Sequence, residues 1–446
     1  MTAPSRQRWL ILAHAFNMDG RAASQTITDK LPHLRRAGIE VVVLSGVSGT
    51  RDAVIEHHQL WPAGPAGLRF ELRHVLRRRV GSGALYRSLM VLASLVLLPG
   101  MLVEKLLRPV ESSWSWWLSA YLKGRALARR QPFDLIYSTG GAFAAHLAGR
   151  ALKKATGIPW LAEVHDPMVM PGSSPVTAQQ KMQAEVERLI CTDADVAIWF
   201  TEQALASARQ RHPQLGERGK MLLPGIDQPF QMLPPYHPGP KFIISHFGSL
   251  SATRHLGPII AALEFLKDRR PDLIAKTELH VYGGPLDPVS REKLLRSPVR
   301  DCVRHFGRIE VDPHSGVSGR EQILRLMRTA DVLLLLHGEE PICSEYIPSK
   351  LYEYLWMERP ILGIVHDNPQ MAGILHSQGH VAVAPGGQGQ GVAVVNGELA
   401  AALEQLFDRW RMQGLPDSGQ ASPYTTQAAV AKLLGWARQI DAEVAG

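Results

Sequence analysis

Short continuous apolar runs recur along the chain, and between them apolar residues return every three or four positions. Trp9–Leu12 leads through His14 to a loop ending at Gly20, then to a helical pattern on Ile27, Leu31 and Leu34, and after Gly38 to the run Ile39–Leu44. Runs without polar alternation predict strands covered on both faces, and strand–helix–strand order predicts a parallel sheet. The cycle returns at Phe133–Tyr137, where Gly140 and Gly141 open a helix, at Pro159–Val164 and at Asp195–Trp199.

A second series begins with Phe242–His246 and continues through Glu278–Tyr282, Val332–Leu336 and Ile361–Val365. Between the two series lie Pro224, Pro229, Pro234, Pro235, Pro238 and Pro240, a density that sustains neither helix nor central strand. The expected fold is therefore α/β with two doubly wound, Rossmann-like domains. Residues 1–225 form the first, 226–241 a proline-rich linker, 242–415 the second, and 416–446 a helical tail set off by Pro416 and Gly419.

Residues 73–117 break the rhythm. Arg77, Arg78 and Arg79 precede an apolar run from Leu89 to Val103, interrupted by Pro99 and Gly100, and then come Trp114, Trp116 and Trp117. The run is short of the roughly 20 residues a membrane-spanning helix needs. Cations, apolar side chains and tryptophans in one segment predict attachment to an anionic membrane interface. The alternative is a buried helical insertion that closes the first core.

Composition narrows the class. At 45% hydrophobic and 20% charged residues, the chain of 446 residues buries real cores. Cys191, Cys302 and Cys343 are widely spaced, which fits a reducing compartment. The polar start from Met1 to Arg8 runs directly into a strand, and the expected location is cytoplasmic. A net charge of +8 suits nucleic acid or an anionic membrane, and the basic segment at 77–79 favours the membrane, with no nucleic-acid partner expected.

In parallel sheets the residues after the strands meet ligands. The richest passage there is Glu345-Tyr-Ile-Pro-Ser-Lys-Leu-Tyr-Glu353-Tyr-Leu, followed by Arg359-Pro-Ile-Leu. Pro348 suits the first turn of a helix, and the N–H groups there, with Ser349 and Lys350, form a place for a diphosphate. Glu353 shares a helix face with Lys350, and its carboxylate can accept from two adjacent ribose hydroxyls.

This passage resembles the Glu-x7-Glu signature of family-4-type, GT-B fold glycosyltransferases, in the bacterial branch whose second half reads Ser-Lys-x-x-Glu-Tyr-Leu. The resemblance implies two Rossmann-like domains facing across a cleft, the first on the acceptor side and the second holding the nucleotide sugar. It implies that Glu353 binds ribose, that Glu345 contacts the donor sugar with a catalytic role, and that Leu351 lies within the donor-binding turn. Phe247-Gly248-Ser249-Leu-Ser-Ala-Thr-Arg254 is similar to the family's phosphate loop. Ser249 stands where an arginine is usual, and Arg254 where a lysine is. In the first domain, His165-Asp166 resembles the family's His-Asp pair, which places His165 beside the transferred sugar with a catalytic role. Asn17, Asp19, Gly20 and Arg21 occupy the place of the family's acceptor or phosphate loop.

The expected activity is retaining transfer of a sugar from a nucleotide-diphosphate donor to a glycan or lipid-linked acceptor. No cofactor is expected, and no metal, since the chain has no His-Glu-x-x-His spacing. Peripheral attachment to the inner face of the cell membrane follows from the basic and apolar segment. A nucleotide-sugar epimerase on the same fold and a non-catalytic sugar-nucleotide binder are the alternatives.

Overall fold

The computed structural model describes residues 7–18, 22–141, 143–229, 234–312, 314–384, 392–417 and 419–445. They form two compact units, Met1–Gly225 with Thr426–Gly446, and Ile226–Thr425.

The first unit is built on β1 (Arg8–Leu12), β2 (Glu40–Ser45), β3 (Glu56–Gln59), β4 (Leu135–Gly140), β5 (Trp160–Val164), β6 (Val196–Trp199) and β7 (Gly219–Met221). They make one parallel sheet in the order β3-β2-β1-β4-β5-β6-β7. Strand side chains alternate between faces. Leu10 and Leu12 therefore join the core with Trp116, Phe143 and Trp160, while Trp9 and Ile11 join the opposite core with Ile27, Leu31 and Leu34 of α1 (Ala22–Arg36).

The second unit carries β8 (Phe242–Phe247), β9 (Thr277–Tyr282), β10 (Val303–Gly307), β11 (Val332–Leu336), β12 (Ile361–Ile364) and β13 (Val381–Val383). These are parallel too, in the order β10-β9-β8-β11-β12-β13. Strand order reverses between β1 and β4 in one sheet and between β8 and β11 in the other, so loops diverge at those carboxyl ends and open a place for ligand.

The boundaries differ from the expected ones at two points. The described residues of 226–241 are fastened to the second unit, where Trp356 donates to the carbonyl of Ile226 at 2.8 Å and Arg328 to that of Pro234 at 2.8 Å. The expected tail at 416–446 is divided between the units. Asp417 receives the buried guanidinium groups of Arg328 and Arg359, which ties this end to the second unit. The helix Thr426–Ala445 then packs Val430, Leu433, Ala437 and Ile440 into the first core, so Pro416 and Gly419 precede renewed packing rather than a break.

Between β3 and β4 run three helices, α2 (Pro65–Arg79), α3 (Gly83–Leu107) and α4 (Trp116–Arg130). The expected interruption at Pro99-Gly100 does not occur, because α3 continues through Pro99. Nor is α3 core, since every one of its residues is half-buried or exposed, with Leu95 62% and Val96 71% exposed. The tryptophans turn inward instead. Trp116 is fully buried beside His14, Trp117 packs against the core, and the Trp114 indole donates to Glu104 at 2.6 Å. Arg78 likewise leaves the basic cluster to bond the carbonyls of Gly49 and Val47.

Candidate active site

In the second unit, the carboxyl ends of β8 and β9 approach so closely that a Cβ on Gly283 would lie 2.1 Å from the Gly248 carbonyl. Gly248, at φ 154°, donates to the Tyr282 carbonyl at 2.9 Å. Gly283, at φ 146°, combines a backbone and a contact that only glycine accommodates. The loop after Gly248 folds on itself through Ser251 and Arg254, and the Arg254 guanidinium bonds the Ser249 carbonyl at 3.1 Å. Ser249 itself is exposed. Glu339 donates its N–H to the Thr253 carbonyl at 2.8 Å, which joins this loop to the one that follows β11.

That second loop leads to Glu345, 1% exposed, at the end of a short 3-10 turn. Asn368 sets its course, donating to the carbonyls of Cys343, Ser344 and Tyr346 at 3.3, 3.2 and 2.9 Å. Cys343 fills the space over Gly338, where a Cβ would meet its sulfur at 2.7 Å. The chain then enters the helix Lys350–Leu355, with Ser349 exposed at its head and Leu351 fully buried.

Lys350 and Glu353 form an ion pair at 2.5 Å, and Arg320 reaches the other Glu353 oxygen at 3.7 Å. Six residues make a small macrodipole, so the expected anion site at the helix start falls mainly to the side chains of Lys350, Arg320 and Arg254. His246 lies beneath them with Nδ1 at 3.1 Å from the Leu334 carbonyl. Burial drives its pKa down to about 4, and the charges of Arg254 and Lys350 add to the fall. Two cations therefore lie in electrostatic reach of one buried ring at the carboxyl edge of β8.

In the first unit, His165 follows β5 and stacks on Phe200 with ring centroids 4.7 Å apart. Its Nε2 is engaged by Thr139 at 2.8 Å and Glu163 at 3.0 Å. Glu163 is fully buried and also paired with Lys30 of α1. Burial pushes its carboxyl up, but Lys30 and His165 outweigh that and hold it well below the usual range. Asp166 is exposed, and a Cβ on Gly141 would touch it at 3.3 Å, so Gly141, directly after β4, leaves room for this loop. Asn17 takes a left-handed turn, φ 49°, and contacts Thr28 at 3.3 Å and Asp52 at 3.4 Å. Asp19, Gly20 and Arg21 lie outside the described residues.

Residues 22–220 match the family model of the glycosyl transferase 4-like domain. No curated protein matches the sequence. Among solved structures, the chain is similar to sucrose-phosphate synthase from Thermosynechococcus elongatus, with a TM-score of 0.61 and 14% identity, covering 98% of this chain and 100% of that one. It is similar to WaaG, a glycosyltransferase involved in lipopolysaccharide biosynthesis, at 0.55 and 14%, covering 95% and 99%. It is also similar to HepE from Anabaena, in complex with UDP-glucose, at 0.52 and 14%, covering 98% and 99%. The fold these share is GT-B.

The fold thus groups Gly248, Ser249, Arg254, Glu345, Ser349, Lys350, Leu351 and Glu353 at the β8/β11 end of one unit, and His165 and Asn17 at the carboxyl edge of the other sheet. Sequence reasoning missed Arg320, Asn368, Lys30 and Glu163. Lys30 carried a signal, because it lies on the apolar face of α1 beside Ile27 and Leu34, where a cation needs a buried partner. Arg320 and Asn368 are ordinary helix-start residues in sequence, and only the fold brings them to the site. Among the described residues, no group of three His, Cys, Asp or Glu side chains is placed to hold a metal ion.

Proposed function

We propose that this chain is a retaining, metal-independent glycosyltransferase that moves a sugar from a nucleotide-diphosphate donor to a lipid-linked acceptor, or another cell-surface glycan precursor, at the cytoplasmic face of a membrane. The observation that carries the reading is the second-unit constellation, in which Glu345 and Glu353 bracket Lys350 directly after β11 while Gly248 and Arg254 close in from β8.

Each part has a chemical use. Glu353 accepts from the ribose hydroxyls, and Lys350, Arg320 and Arg254 take up the charge that grows on the diphosphate as the glycosidic bond breaks. Three side-chain cations supply the stabilisation that a divalent ion would otherwise give. Glu345 contacts the donor sugar. His165, fixed by Thr139 and Glu163, presents Nδ1 to a sugar hydroxyl. The UDP-glucose complex of HepE and the lipopolysaccharide role of WaaG support this choice of donor class and acceptor.

The test is a transfer assay on the full chain. Radiolabelled UDP-, GDP-, ADP- and dTDP-sugars are supplied with a bacterial lipid extract in EDTA, and the anomeric configuration of the product is read by NMR. Label passing into lipid with retention is expected. Release of an altered free donor without an acceptor would mark an epimerase, and activity that returns only with magnesium or manganese would overturn the metal-independent reading.

A further inference from the structure

We propose that α3 enters a single leaflet of an anionic phospholipid bilayer as a wedge that does not cross it, and that α2 couples this wedge to the loops at the carboxyl edge of the first sheet. The proposal rests on the membrane-surface reading above and specifies how the chain meets the lipid.

The exposed surface of α3 is apolar. One stripe of α3 rests on α2, where Arg69 bonds Ser94 at 2.7 Å and the Ala66 N–H bonds Glu104 at 2.8 Å. Around the rest of the helix, Leu92, Leu95, Val96, Leu102, Val103 and Leu106 are each more than half exposed. An exposed apolar face of this size is costly in water and calls for an apolar partner. The charge pattern names it. From Pro65 to Arg108 the chain has eight basic residues and two acidic ones. Both acids turn inward, Glu71 fully buried against His14 and Glu104 bonded to Trp114 and Ala66. Arg73, Arg77 and Arg79 stay exposed. A positive rim around an apolar face complements anionic headgroups over acyl chains.

By length and composition α3 is able to cross a membrane, but the sheet forbids it. Helix α3 lies in the chain between β3 and β4, and these belong to one sheet, in which β1 pairs with both β2 and β4. A single crossing would put β4 on the opposite side of the membrane from β1. Helix α2 cannot supply the return, because its 15 residues include Arg69, Arg73 and the triplet Arg77–Arg79. Both ends of α3 must stay on one side.

The hairpin is also tied to the body of the sheet. Arg78 holds the carbonyls of Gly49 and Val47 in the loop after β2, at 2.5 and 2.6 Å, and Glu71 meets His14 after β1 at 3.1 Å. Seating α3 in a leaflet therefore fixes the height of these loops above the headgroups, where the polar end of a lipid-linked acceptor can reach them.

The experiment uses the full chain with vesicles of phosphatidylcholine, with and without phosphatidylglycerol. Single cysteines are introduced as Gly81→Cys, Leu95→Cys and Leu107→Cys and labelled with an environment-sensitive dye or an impermeant maleimide. On anionic vesicles the Leu95→Cys dye should shift to the blue and be quenched by doxyl lipids, while Gly81→Cys and Leu107→Cys both react with maleimide added outside. Cosedimentation should fall at least tenfold in Leu95→Asp/Val96→Asp/Leu102→Asp, with the circular dichroism spectrum and thermal stabilisation by nucleotide sugar unchanged. An unshifted Leu95→Cys dye, or a Leu107→Cys thiol reached only from the vesicle lumen, would overturn the wedge. Because donor stabilisation is read in the same triple variant, failure of the wedge is distinguishable from failure of the transferase reading.

Discussion

The Tyr354 hydroxyl accepts the backbone N–H of Phe247 at 3.0 Å, so the helix that carries Lys350 and Glu353 is fixed to the last residue of β8. Tyr354 is fully buried, and the same hydroxyl approaches the Leu334 carbonyl of β11 at 3.5 Å. One side chain thus holds the signature helix to both strands at the switch point. Tyr354→Phe leaves the Phe247 N–H buried and unpaired, which costs about 1–3 kcal/mol. Urea unfolding should show that loss, and donor affinity should fall in the folded variant.

Asn368 holds three carbonyls of the 343–346 loop and thereby aims Glu345. In Asn368→Ala that loop loosens while Lys350 and Glu353 remain in place. Steady-state kinetics should show kcat reduced by about tenfold or more, because a 1 Å misplacement can cost about a hundredfold, with the donor KM changed much less. A rise in KM alone would assign Asn368 to binding.

Acid should weaken the protein in two windows. His146 and His246 are buried and neutral, with burial driving both down to about 4 from 6.5. The unfolded chain binds more protons than the folded one between those values, so their stabilisation is complete above pH 6.5 and drains away as the pH falls toward 4. Glu163 is held below its ordinary 4.5, the effect of Lys30 and His165 exceeding that of burial. Its contribution is present above 4.5 and is lost as the pH falls further. Urea midpoints measured from pH 7 to pH 3 should decline through both windows, and His246→Gln should make the upper decline shallower without removing it, because His57, His146, His366 and His380 are driven down to about 4 as well.

The buried pair of Lys30 and Glu163 gives a separate test. Lys30→Met strands a carboxylate in the core and should cost about 3–5 kcal/mol, while Lys30→Met/Glu163→Gln should recover much of it. His165 depends on Glu163 through Nε2, so the double variant should regain stability and still transfer sugar slowly.

The strands were legible because parallel sheets buried on both faces write themselves as continuous apolar runs, as in Val332–Leu336. The signature from Glu345 to Glu353 was legible because its residues are contiguous. Contacts made by distant residues were not. Arg320 and Asn368 reach the site only through the fold, and the inward turn of Trp116 depends on His14, about a hundred residues earlier. The last helix was misjudged for a related reason. Pro416 and Gly419 mark a change of direction, and its apolar stripe of Val430, Leu433 and Ile440 belongs to a core built by the other end of the chain.

The central claim is that Glu353 and Lys350 bind a nucleotide-diphosphate sugar, and calorimetric titration of the full chain in EDTA tests it most directly. Wild-type protein should bind one of UDP-, GDP-, ADP- or dTDP-glucose. Glu353→Gln and Lys350→Ala, folded by circular dichroism, should each lose a charge-assisted contact of about 1.5–3 kcal/mol, roughly 10- to 150-fold in Kd. Equal affinity in wild type and both variants, or heat from none of the four donors, would contradict the account.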